Sequence, residues 1–127
     1  MSALTYLDTH VVVWLYSGHH DLLSDQAAQR VERDDLAVSP MVLLELAYLG
    51  EIGRLRAAPS EVLQALHAQL GLRVCGLAFA NVVLCALEQS WTRDPFDRLI
   101  VGHAAAAKGP LVTRDDTIHA NFAGACW

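Results

Sequence analysis

Asp8, Glu45, Asp97 and Asp115 are spread through a chain of 127 residues, and each stands where a strand ends or near where a helix begins. Asp8 follows the β-prone segment Leu4–Leu7, and Asp115, with Asp116 beside it, lies just past Leu111-Val112-Thr113. Glu45 is the only charge in the apolar run Met41–Leu49. Its neighbours three and four positions away are Met41, Val42, Tyr48 and Leu49, so it does not sit on an ordinary solvated stripe. Burying a lone carboxylate is very costly unless it is paired or liganded. Two carboxylates held about 4 Å apart repel by about 4 kcal/mol at an effective dielectric of about 20. A cation among them would turn that repulsion to use, and oxygen donors without paired His or Cys suit Mg²⁺ or Mn²⁺. Such ions most often serve phosphoryl chemistry, by acidifying water and steadying a leaving oxygen.

The elements that must position these acids follow from local signals. Asp94-Pro95 sets an N-cap before a proline at the first helical position, where its missing N–H costs nothing. Asp97 falls three residues on, where a capping box carries its acid. That helix runs through Leu99 to Ala107 and stops at Lys108-Gly109-Pro110, with Gly109 as its C′ glycine. Ser39-Pro40 repeats the device ahead of Met41–Leu49. Asp8 and Thr9 can cap a helix over His10–Tyr16, which Gly18 breaks. Ser24 opens a polar helix to about Arg33, Pro59 and Ser60 start another to about Leu70, and Phe79–Ser90 reads as a long buried helix. Strands are expected at Leu4–Leu7, Leu36–Val38, Leu72–Leu77, Leu111–Thr113 and Phe122–Trp127, with Gly50–Ala58 a flexible basic connection. Strands alternating with helices imply a parallel sheet covered on both faces. Right-handed crossovers then send the strand ends to one edge, where ligands bind.

Most of these acids also have a plainer role open to them. Asp8 and Asp94 suit N-caps, Asp97 suits the helix dipole, and one of Asp115 and Asp116 suits a turn. Glu45 has the weakest such role.

The length allows one domain spanning residues 1–127, and 54% hydrophobic residues make it globular rather than disordered. Met1-Ser2-Ala3 shows no basic region followed by an apolar run. The longest uncharged stretch, Val74–Leu87, is 14 residues, too short for a membrane span. A soluble, cytoplasmic protein without a membrane partner is expected. Cys75, Cys85 and Cys126 lack C-x-x-C spacing and read as reduced, buried thiols. The six histidines lack zinc-site spacing, and there is no phosphate loop, dinucleotide fingerprint or nucleophile elbow. A net charge of −5 repels a polyanion unless divalent cations neutralise the acids or a basic patch lies nearby.

Four motifs, taken in order, resemble the PIN-domain family, and within it the VapC-type toxins of bacterial toxin–antitoxin pairs. They are L-D-T at Leu7–Thr9, S-P-x-x-x-x-E at Ser39–Glu45, D-P-F-D-R at Asp94–Arg98 and L-V-T-R-D at Leu111–Asp115. Each is weak alone, but the ordered set is specific and spans nearly the whole chain. The resemblance implies a three-layer α/β/α sandwich on a mostly parallel five-stranded sheet, and a Mg²⁺- or Mn²⁺-dependent endoribonuclease acting on RNA. It implies that Asp8, Glu45, Asp97 and Asp115 match the family's four acidic positions. Thr9 and Thr113 match its hydroxyl positions beside the metal, and Asp94 the extra acid of the D-P-F-D-R subgroup; Asp116 stands where the pattern is looser. It further implies a homodimer, and a small antitoxin wrapping the helices around Glu45 to Leu70. Two features depart from the family's usual look: Thr92 replaces a frequent histidine, and the chain is acidic. Arg93, Arg98 and Arg114 flank the acids, with Arg54 and Arg56 further off, and offer a phosphate-binding rim. Arg98 suits an ion pair with a neighbouring acid equally well.

Two other readings compete. A haloacid-dehalogenase-like phosphatase would use Asp8 as a covalent nucleophile, but it carries a second Asp two residues on, where this chain has His10. A receiver-like phospho-acceptor or interaction module needs an acid at the end of the third strand, and Leu72–Leu77 has none nearby.

Overall fold

A computed structural model describes residues 4–127; the Met1–Ala3 start, read above for a leader, lies outside them. Five strands form one sheet in the order β3-β2-β1-β4-β5, and every pairing is parallel. They are β1 (Leu4–Leu7), β2 (Asp35–Val38), β3 (Arg73–Val74), β4 (Leu111–Val112) and β5 (Ala125–Cys126). Between them run α1 (Thr9–Tyr16), α2 (Asp25–Arg33), α3 (Pro40–Glu51), α4 (Pro59–Leu70), α5 (Phe79–Leu87), α6 (Pro95–Ala107) and α7 (Asp116–Asn121). Tyr6 and Leu7 of β1, Leu36 and Val38 of β2 and Leu111 and Val112 of β4 are buried together with Leu46, Ile100 and Ile118. Each such side chain contributes about 1.5–3 kcal/mol. No helix among the described residues is long and apolar enough to cross a membrane.

The order has one consequence for function. From β1 the chain steps outward to β2, and from β4 it steps the other way to β5. The crevice outside the carboxyl ends of β1 and β4 is therefore the topological switch point, the usual ligand position in open parallel sheets.

Several expected elements come out differently. β3 is two residues long and both are exposed, because it is an edge strand; the rest of Leu72–Leu77 is loop. α5 ends at Leu87 rather than Ser90 and is half open, with Phe79, Leu84 and Leu87 exposed. The fifth strand shrinks to Ala125–Cys126 because Phe122–Gly124 is taken up by the turn after α7, closed by the Ala125 N–H donating to the Phe122 carbonyl at 3.1 Å. The three cysteines are free, as expected, but half-buried rather than buried. At the end of α6 the left-handed residue is Lys108 (φ 56°), not Gly109. Gly109 is required for another reason: a Cβ there would stand 2.5 Å from the Leu4 carbonyl oxygen.

Candidate active site

Asp8 leaves β1 and caps α1. One of its oxygens accepts the Thr9 N–H at 2.8 Å, and the other accepts the Thr113 hydroxyl at 2.7 Å. Thr113, fully buried at the end of β4, accepts in turn from the Asp115 N–H at 3.1 Å. Asp115 caps α7 through the N–H groups of Thr117 and Ile118, at 2.8 and 3.1 Å. One hydrogen-bonded network thus ties the ends of β1 and β4 together. The Thr9 hydroxyl reaches across to donate to the Glu45 carboxylate on α3. Asp97 lies in the first turn of α6, and its carboxyl makes no hydrogen bond among the described residues. No capping box forms, because the Asp94 N–H donates to the Thr92 hydroxyl instead.

These acids share one open cleft of about 480 Å³, lined by Asp8, Glu45, Asp94, Asp97 and Asp115. Their charges are felt. Burial, then repulsion from Asp94, Asp8, Asp115 and Glu45, pushes Asp97 up to about 7. Burial also raises Glu45, and repulsion from Asp8 and Asp94 outweighs, with it, the opposing hydrogen bond from Thr9. Carboxyls with raised proton affinity gathered in a cleft mark functional sites more often than structural ones. Among the described residues, no three His, Cys, Asp or Glu side chains already stand in metal-ligand geometry.

Asp94 lines the cleft and also caps α6, accepting the Phe96 N–H at 2.8 Å. Asp116 is exposed at the start of α7 and does not line the cleft. Arg98 makes no ion pair among the described residues and does not line the cleft. Its guanidinium donates to the Ala86 and Leu87 carbonyls, both at 3.2 Å, closing the carboxyl end of α5. Arg93 binds the Ser90 carbonyl at 2.9 Å. The arginine that lines the cleft is Arg54, which arrives from the connection after α3.

The sequence pattern of the PIN domain matches residues 5–123. The chain belongs to the PIN-domain family. Ribonuclease VapC22 of Mycobacterium tuberculosis is 34% identical over 111 residues, covering 86% of this chain and 85% of that protein. Among solved structures, VapBC2 from Rickettsia felis, bound to a DNA fragment from its promoter, superposes with a TM-score of 0.67. It has 22% identity over 92% of both chains. A toxin–antitoxin complex from Klebsiella pneumoniae superposes with a TM-score of 0.62 and 15% identity, over 97% of this chain and 96% of its own. At these identities the structural matches speak for the fold.

Sequence reasoning passed over His10 and Trp14, which line the same PIN-domain cleft. The signal was available. They are four apart at the start of α1, hence on the helix face that begins beside Asp8.

Proposed function

We propose that this protein is an endoribonuclease that hydrolyses RNA phosphodiester bonds with the help of Mg²⁺ or Mn²⁺, and that it is the toxin of a toxin–antitoxin pair. The observation that carries this reading is the crowding of Asp8, Glu45, Asp97 and Asp115 in one cleft, where Arg54 is the arginine among the described residues. The donor set fits a hard cation, since the acids offer oxygen ligands. The raised proton affinities of Asp97 and Glu45 are a penalty that a bound divalent ion removes. Asp8, Glu45, Asp97 and Asp115 would hold it, with Asp94 beside them. When bound, the ion supplies charge neutralisation at the phosphate and a more acidic water.

The chain's own residues do the positioning. Thr113 and the Thr9 N–H fix both oxygens of Asp8 and leave each a lone pair for a further partner. Thr9 orients Glu45. In hydrolysis a water oxygen bonds to phosphorus and the bond to the leaving ribose oxygen breaks. The released proton passes through water to the carboxylate of Asp97 or Asp115.

The name of the mycobacterial relative, a ribonuclease, supports the nuclease reading, and the toxin–antitoxin assembly of a structural relative supports the pairing. Leu44 and Tyr48 on α3 and Phe79, Leu84 and Leu87 on α5 form exposed apolar surface suited to a homodimer, with the helices from Glu45 to Leu70 receiving the antitoxin. A single catalytic domain over residues 1–127 acting in the cytoplasm completes the reading. A phosphatase with Asp8 as nucleophile is disfavoured, because His10 holds the second acid's place.

Incubated with single-stranded RNA and Mn²⁺, the wild-type protein should cut. EDTA or Asp8→Asn should reduce cutting by about a thousandfold or more, the equivalent of several kcal/mol, with the melting temperature retained. Cutting at the wild-type rate by the Asp8→Asn variant would remove Asp8 from the site.

A further inference from the structure

The acidic cleft has a wall that the hydrolysis itself does not use. Val13, Trp14 and Leu49 line it, together with Arg54. Trp14 is only half-buried, although Val11, Val12 and Leu15 around it on α1 are in the core. Its ring is held from two directions. The His10 ring meets it at 5.0 Å and 62°, and the Trp127 ring at 6.1 Å and 63°. His10 is fixed in turn, with one ring nitrogen accepting the Arg114 N–H at 2.9 Å and the other 3.7 Å from Asp8. A row of three rings therefore ends at the acid that anchors the cleft. A buttressed tryptophan gives a nucleobase a π-surface with little left to order on binding, and arginine supplies the charge that tracks a backbone. Arg54 is exposed and makes no ion pair among the described residues.

We propose that Trp14 is the platform on which an RNA base beside the cut phosphate stacks, with Arg54 holding the adjoining backbone, so that the cleft selects unpaired strands. Bases inside a duplex have their faces occupied and cannot use such a platform. This inference rests on the ribonuclease reading above.

The test uses the full chain with Mn²⁺ and a single-stranded RNA containing one cleavage site, alongside the same strand carrying an abasic residue at each flanking position in turn. For the wild type, one abasic position should raise KM about ten- to a hundredfold, with kcat little changed. Trp14→Ala should raise KM on the intact strand by the same factor and lose nothing further at that position, while Trp14→Phe restores most of the affinity. Arg54→Ala should raise KM equally on intact and abasic strands. Because the abasic series needs no change to the protein, it can overturn the platform even if Trp14→Ala fails to fold, and Trp14→Phe then carries the assignment to Trp14. A wild type indifferent to every abasic position overturns the stacking platform and leaves the nuclease standing. So does a Trp14→Ala variant that still loses affinity at that position. No cleavage of any strand by the wild type overturns the ribonuclease reading and this inference with it.

Discussion

The two edges of the sheet both carry partly buried acid, and they treat it in opposite ways. At the amino end of β2, Asp34 accepts the Thr5 hydroxyl at 2.7 Å and pairs with Arg30 at 3.3 Å and Arg33 at 3.2 Å. Burial, the largest influence on it, works to raise its proton affinity. The bonds from Thr5 and Arg33 and the charges of both arginines outweigh that, and the carboxyl is held below its usual range. At the carboxyl edge, Asp97 has neither donor nor cation against it among the described residues, and burial with four acidic neighbours sends it up to about 7. Fold stability explains the first arrangement and not the second. Charge left unanswered at the ligand-binding edge is what a site for an external cation looks like before the cation arrives.

The sharpest way to break this contrast is to remove one acid from each edge. Asp34→Ala leaves the buried Thr5 hydroxyl without its acceptor and two arginines without a partner, and should cost about 1–3 kcal/mol in urea unfolding. Cleavage per folded molecule should be unchanged. Asp97→Asn should do the reverse, raising cation-free stability by about 1–2 kcal/mol after allowance for solvent screening and abolishing cleavage. Loss of stability in both variants would remove the distinction.

The same contrast predicts a pH dependence. The folded proton affinity of Asp97 lies above its ordinary value of 3.8, so between that value and about 7 the folded chain binds more protons than the unfolded one. Its contribution to stability is therefore greatest at low pH and falls as pH rises through about 7. Asp34 has the opposite sign: its contribution is present above the ordinary carboxylate range and is lost as pH falls below it. Urea midpoints measured in EDTA should decline from about pH 5 to pH 8 in the wild type, and less in Asp97→Asn. Saturating Mn²⁺ should flatten the wild-type decline.

Much of the cleft was legible in the sequence because its acids sit on local punctuation. Asp8 after β1, Ser39-Pro40 before Glu45 and Asp94-Pro95 before Asp97 are capping signals read over a few residues. What escaped depends on contacts between distant segments. Arg98 is beside two acids in sequence, yet the close packing of α5 on α6, where a Cβ on Gly102 would come within 3.0 Å of Ala86, turns it to the carbonyls of α5. Arg54 enters the cleft only because the connection after α3 folds back. α7 went unseen because six residues with one buried side chain, Ile118, carry no helical period. Trp14 reads as core from its run of valines, and only its spacing of four from His10 sets it on the face beside Asp8.

The smallest expected effect is the most discriminating about Glu45. A glutamine oxygen accepts the Thr9 hydroxyl as a carboxylate oxygen does, so Glu45→Gln keeps that hydrogen bond and sheds only charge. Burial, helped by Asp8 and Asp94, makes that charge unfavourable. In EDTA the variant should be the more stable of the two, seen as a higher melting temperature. Excess Mn²⁺ should reverse the order. The wild type gains about 2.7 kcal/mol at a hundred times its dissociation constant, and the variant, one ligand short, gains less. A lower melting temperature for the variant in EDTA would instead make Glu45 a structural acid of the Asp34 kind, and the cleft would then hold its cation without α3.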